Sequence, residues 1–192
     1  TTLDAGNRIL LNAKILGDNF AGILNLNSGA GITQGIFDLN GNVTAIDLNE
    51  LNIQSGGAIA LNSTLNDVNV IKVTGSTSTN LPTSFSYSDI DPQVHTSDSI
   101  SIDQMEVNGN IVINLGVGEL TINSQIQTPG DVTLFTHGNI VETSLGGIQA
   151  NNLAITSGGS ILLDNQANNH VGRLSATTTN NYVAGGVHRM AL

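Results

Sequence analysis

Leu153-Ala154-Ile155-Thr156-Ser157-Gly158-Gly159-Ser160-Ile161-Leu162-Leu163 is a pair of short alternating segments around a Ser-Gly-Gly corner. It superposes on Leu51-Asn52-Ile53-Gln54-Ser55-Gly56-Gly57-Ala58-Ile59-Ala60-Leu61 at an offset of 102. Past one inserted residue, Val68, Ile71 and Val73 find Val171, Leu174 and Ala176. Upstream, Gly22, Leu24, Leu26 and Ile32 match Gly130, Val132, Leu134 and Ile140 at 108, while Ile9, Leu11, Asn12 and Ile15 match Leu120, Ile122, Asn123 and Ile126 at 111. Self-similarity that keeps its apolar positions and drifts only at loops is the mark of a solenoid. The two repeats run approximately over residues 5–108 and 116–192 of a single domain spanning 1–192.

Working outward, the same alternation recurs in Ile23-Leu24-Asn25-Leu26, Ile111-Val112-Ile113, Leu120-Thr121-Ile122 and Val132-Thr133-Leu134. A period of two in Ile, Leu and Val predicts strands, and nowhere is a helical period sustained. Asn40-Gly41-Asn42, Asn108-Gly109-Asn110 and the Ser-Gly-Gly triplets punctuate them and are expected to supply positive φ at corners. Aromatics are 3% of the chain against 39% hydrophobic residues, so the core must be aliphatic. Charged residues are 10%, too few for exposed helix faces rich in Glu, Lys and Arg. The fold expected is all-β, a right-handed parallel β-helix of about eight or nine coils. Stacked at about 4.8 Å per strand, it would form a rod on the order of 40 Å long.

Net charge is −10 and the five basic residues, Arg8, Lys14, Lys72, Arg173 and Arg189, are scattered singly. That leaves no cationic stripe for phosphates, so nucleic acid is not an expected partner. No apolar run approaches the roughly 18 residues needed to span a bilayer, and no membrane insertion is expected. The opening Thr1-Thr2-Leu3, with neither Met nor a leader pattern, is expected of a piece of something longer.

Catalytic and metal constellations are weak. Carboxylates gather at Asp89, Asp91, Asp98 and Asp103 without a basic residue between Lys72 and Arg173, so no acid pair with a converging cation assembles from sequence neighbours. A turn-rich acidic loop is the expectation there, with calcium binding by it left open. His95, His137, His170 and His188 lie too far apart for short-range metal ligation. Gly116-Val117-Gly118 precedes a strand and reads as a corner rather than a phosphate cradle. Asn12, Asn62, Asn66, Asn123 and Asn168 are candidates for hydrogen-bonded ladders at the corners. No catalytic, cofactor-binding or metal residue is assigned, and no cofactor is expected.

Gly138-Asn139-Ile140, Ile148-Gln149-Ala150-Asn151-Asn152-Leu153-Ala154-Ile155 and Asn168-Asn169-His170-Val171-Gly172-Arg173-Leu174-Ser175-Ala176, with Gly130-Asp131-Val132-Thr133-Leu134, resemble the haemagglutinin-type repeats of filamentous-haemagglutinin-like bacterial exoproteins. The resemblance covers nearly the whole chain. It implies a right-handed parallel β-helix at the bacterial surface or outside the cell, exported through a dedicated partner pore and used for adhesion, biofilm or intercellular contact. A structural or adhesive rod without catalysis is therefore expected. Its partners would be sister copies end to end, or host or cell-surface glycans or proteins. The alternative is a carbohydrate-binding or polysaccharide-cleaving β-helix.

One segment should break the pattern. Thr74 to Asp103 carries Pro82 and Pro92, and proline removes a ladder donor. Gly75 to Asn80 reads as an exposed loop, Phe85 and Tyr87 alternate on one side of a short strand after it, and this irregular segment is the likeliest place for partner contact.

Overall fold

The computed structural model describes residues 1–17, 21–90, 99–116, 118–179 and 190–191. Among them every regular element is a strand, and nineteen strands join one sheet. In chain order they open with β1 (Thr2–Ala5), β2 (Arg8–Leu11), β3 (Ile15–Leu16), β4 (Ile23–Ser28), β5 (Gly31–Gln34), β6 (Ile46–Ser55) and β7 (Ala58–Leu61). Next come β8 (Asp67–Gly75), β9 (Phe85–Asp89), β10 (Ile100–Glu106), β11 (Ile111–Leu115), β12 (Leu120–Ile122) and β13 (Gln125–Gln127). The last are β14 (Asp131–Thr136), β15 (Ile140–Glu142), β16 (Gly147–Ser157), β17 (Ile161–Leu162), β18 (His170–Thr178) and β19 (Met190–Ala191).

The pairings between these strands are parallel, each strand meeting the one a full turn later: β4 lies between β1 and β6, and β16 between β14 and β18. The chain is a parallel β-helix. One inward column can be followed along the whole axis, Ile9–Ile32–Ile59–Phe85–Ile111–Val132–Leu153–Leu174, which counts eight coils. Seven strand spacings put about 34 Å between its ends. The inward residues of the middle coils are fully buried, as alternation in Ile, Leu and Val requires.

The self-similarity in the sequence has a different meaning from the one expected. Ile53 shares a column with Leu26, Val73, Met105, Ile126 and Ile148. Its match Ile155 stands in another, with Leu61, Tyr87, Ile113 and Leu134. Ile9, Ile32 and Ile59 form one column, whereas their matches Leu120, Ile140 and Ile161 form a second. The superposition thus carries whole columns onto other columns. Its offset is several coils plus one face, so it relates neighbouring faces rather than equivalent positions of two coils.

Corners work by a hydroxyl and a close approach. Thr136 Oγ1 donates to the Gly118 carbonyl of the preceding coil at 2.6 Å and accepts from Gly138 N at 3.0 Å. One coil later Ser157 Oγ repeats this on Gly138 O at 2.7 Å and Gly159 N at 3.1 Å. Thr128, at another corner, donates to Gly109 O and accepts from Gly130 N at 2.9 Å. The glycines that follow are not there for positive φ, which among the described glycines occurs at Gly31, Gly41 and Gly118. They are there for room: a Cβ on Gly57 would run into the carbonyl of Ala30 on the coil beneath.

The corner asparagines do not stack on one another as expected. Asn66 is buried inside, exchanging amide hydrogen bonds with Gln34 at 2.8 and 3.0 Å and accepting from Ile46 N at 3.0 Å. Asn123 donates to Ser101 and Asp103, and Asn168 to the carbonyl of Gly146, while Asn62 is exposed. Asn66, Asn123 and Asn168 spend their amides on Gln34, a hydroxyl, a carboxylate and a backbone carbonyl, which leaves no ladder of like side chains among them.

Thr74 to Asp103 does depart from the regular coil. Ile71 meets Ile102 after 31 residues with a register shift between Ile102 and Gln104, against 21 residues from Val132 to Leu153. Ser76 to Asn80 is an exposed turn, but Phe85 and Tyr87 are buried in the inward columns. Asp89 is buried at the end of β9 and Asp103 lies on β10, so these two do not share an exposed loop. Asp91, Pro92, His95, Asp98 and His188 lie outside the described residues.

Candidate functional site

Between the inward apolar residues of β4, β6, β8 and β10 stand outward polar ones, and register stacks them. Thr2, Asn25, Asn52, Lys72 and Gln104 form one column. Asp4, Asn27, Gln54 and Thr74 form the next. Because Val73 pairs with Met105, that second column continues into Glu106, Gln127, Gln149 and His170. Within the first, Asn52 Nδ2 donates to Asn25 Oδ1 at 2.9 Å, and Asn25 Nδ2 to Thr2 Oγ1 at 3.2 Å. Beside them Asn69 Nδ2 donates to Asn49 Oδ1 at 3.3 Å.

This flank is hollowed. A cleft of about 410 Å³ is lined by Asn25, Asn52, Gln54, Lys72 and Gln104. Further along, a second of about 700 Å³ is bordered by Gln127, Gln149 and His170, with Ser78 and Leu81 of the inserted loop on its rim. Five of the nine residues lining the first cleft are amides, against three of eleven in the second, and an amide offers both a donor and an acceptor without a charge.

One charged cluster interrupts it. Lys72 Nζ lies 2.9 Å from Glu50 Oε1 and 3.9 Å from Asp103 Oδ2. Asp103 Oδ1 also accepts from Ser101 Oγ at 2.8 Å and Asn123 Nδ2 at 3.1 Å. The hydrogen bond from Lys72, and then one from Asn52, hold the Glu50 carboxyl below its ordinary range. Sequence neighbours could not reveal this group: Glu50 and Lys72 are 22 residues apart and Lys72 and Asp103 are 31, each one coil step. Carboxylates and a converging cation that no sequence neighbours supply are brought together by the fold.

The remaining candidates stay apart. His137 is an exposed corner residue, its Nδ1 3.1 Å from Gly116 O and its ring edge-on to Phe135. His170 begins β18 on the amide flank. Gly116 and Gly118 receive hydrogen bonds from His137 N and Thr136 Oγ1, as a corner does. Among the described residues no group of three His, Asp or Glu could hold a metal ion, and no helix is long and apolar enough to cross a membrane. No protein-family model, no curated protein and no solved structure matches the chain.

Proposed function

We propose that the chain is a structural and adhesive rod of an extracellular or bacterial-surface fibre, of the filamentous-haemagglutinin-like kind that its repeats resemble, acting without catalysis. The observation that carries this reading is the amide-rich polar flank, two outward columns that run coil after coil from Thr2 to Gln104 and from Asp4 to His170, with charge concentrated at the Lys72 cluster. Parallel stacking gives a stiff body, and a flank of paired donors and acceptors suits the hydroxyl-rich, uncharged surface of glycans.

The ion cluster bears on the cleaving alternative. Hydrolysis of a glycosidic bond needs one carboxyl kept protonated as general acid, with its pKa raised. Glu50 is shifted the other way by Lys72. That favours an anchoring or stabilising role for the cluster over acid catalysis. The test is binding of the immobilised protein to a glycan array, beside reducing-end release from polysaccharides. Binding weakened by Asn52→Ala and Gln104→Ala, without product release, is the expected result. Turnover abolished by Glu50→Gln or Asp103→Asn would overturn it.

A further inference from the structure

Between β5 and β6 the chain leaves the rod as a short hairpin, residues 36–43, closed by an antiparallel bridge between Phe37 and Val43. Its tip is held by Asp38: Oδ1 accepts from Asn40 N at 2.8 Å and Asn42 N at 2.9 Å, and Oδ2 from Asn42 Nδ2 at 3.0 Å. Asp38 N donates to Asn42 O at 2.8 Å, and Gly41 supplies the positive φ of 80° that the turn needs. This ordered turn lifts apolar side chains into water. Leu39 is 98% exposed, Ile36 65%, Phe37 58% and Val43 36%.

The surroundings extend the patch. Leu10 and Leu16, 56% and 61% exposed, lie on β2 and β3 at the base of the hairpin, where Gly35 N donates to Leu11 O and Ile15 N to Ala45 O. Of the twelve large hydrophobic residues exposed among the described ones, eight fall between Leu3 and Val43. Scattered singly they would need no explanation; four of the eight gathered on one hairpin do.

We propose that this hairpin is a self-association surface, through which two copies of the chain pack tip against tip about a two-fold axis. Three observations select a second copy. The four tip residues expose roughly 500 Å² in all, and Leu10 and Leu16 bring it to roughly 700 Å², close to the ~800 Å² per partner of a stable interface. The Asp38 network fixes the tip before contact, which lowers the ordering cost of association. The only ionised side chain of residues 36–43 is Asp38, and its oxygens are turned to its own backbone and Asn42. A lipid surface would call for basic residues on the tip, and the chain's net charge of −10 opposes an anionic bilayer. In a two-fold contact the same patch meets itself, so one hairpin per chain suffices and the assembly closes as a dimer.

Sedimentation equilibrium of the 192-residue protein over micromolar to submillimolar concentrations tests this. A monomer–dimer equilibrium is expected, weakened about tenfold or more by Leu39→Asn and by Phe37→Ser, with circular dichroism and melting unchanged. The chain has no cysteine, so Leu39→Cys should oxidise to a linked dimer much faster than Leu145→Cys, a control 74% exposed on a distant coil. A wild-type protein that stays monomeric throughout, or a dimer indifferent to both tip substitutions, would overturn the proposal. So would a monomer that floats with phosphatidylcholine vesicles through the same residues.

Discussion

Glu142 stands where the helix has an aliphatic residue in every neighbouring coil. Its inward column runs Leu24, Leu51, Ile71, Ile102, Ile122 and then Glu142. Since Val141 pairs with Leu162, Leu163 follows it on the next coil. One carboxylate oxygen, Oε2, accepts from Asn165 N at 3.2 Å and Asn169 Nδ2 at 2.9 Å. The other, Oε1, is buried with no hydrogen-bond partner. Burial raises the Glu142 pKa above its ordinary value of 4.5, and the bonds from Asn169 and Asn165 offset only part of that.

Glu142→Leu removes the unpaired oxygen, worth about 1–3 kcal/mol when fully desolvated, and adds about 1 kcal/mol of apolar burial at a half-buried position. Against this stand two lost hydrogen bonds, about 1 kcal/mol each, which water can partly replace because Asn165 and Asn169 are half-exposed. A net gain of about 1 kcal/mol at neutral pH follows, or about 2–4 °C in melting temperature for a chain of this size. The sign with pH is fixed. A raised carboxyl pKa means the folded state binds the proton more tightly than the unfolded one, so the wild type loses stability as pH rises from below 4.5 through the folded pKa. The advantage of the variant must therefore be largest at neutral pH and shrink under acid. Melting at several pH values and hydrogen exchange of β18, which follows the Asn165–Asn169 turn, would measure it. A variant less stable than wild type at pH 7, or a gap that widens on acidification, would refute the reasoning.

Ile161→Asp should cost about 3–5 kcal/mol in denaturant unfolding, because an unpaired charge would enter a fully buried column between Ile140 and the backbone of β19. Deleting Ser76 to Asn80 should change stability by less than about 1 kcal/mol while the far-ultraviolet spectrum holds, since the turn is exposed and loop length is thermodynamically cheap. Loss of cooperative unfolding would place that turn in the core instead. Gly57→Ala should destabilise by about 1–3 kcal/mol and speed exchange in β5 and β7, because its methyl group meets the Ala30 carbonyl rather than a flexible side chain.

Alternation in Ile, Leu and Val was enough to announce strands, and self-similarity enough to announce a solenoid. What neither could decide is whether a match is to the next coil or the next face. The corner before Ile59 and the corner before Ile161 both read strand, hydroxyl, glycine, strand, so Ser55-Gly56-Gly57 and Ser157-Gly158-Gly159 look alike although their strands belong to different columns. A shorter step was present but masked by variable loops: Ile111, Val132, Leu153 and Leu174 recur every 21 residues. A hydroxyl two residues before glycine, as in Thr128-Pro129-Gly130 and Thr136-His137-Gly138, marks the corners better than glycine alone. The hairpin at 36–43 was illegible because Ile36 and Phe37 look like strand residues until their neighbours are known.

The candidate flank was illegible for a related reason. In a helical protein, residues three or four apart share a surface, and in a hairpin the partners are close in sequence. In a solenoid the surface neighbour is a whole coil away, and the coil length itself varies from 20 residues between Leu51 and Ile71 to 31 between Ile71 and Ile102. Asn25, Asn52, Lys72 and Gln104 therefore carry no common spacing, and neither do Glu50, Lys72 and Asp103. Alternation makes each of them outward, but only the ladder register decides which outward residues meet. Insertions at loops that shift spacing without shifting register leave such a surface intact while hiding it from any fixed-period reading, so in this fold the inward columns are legible before the outward ones.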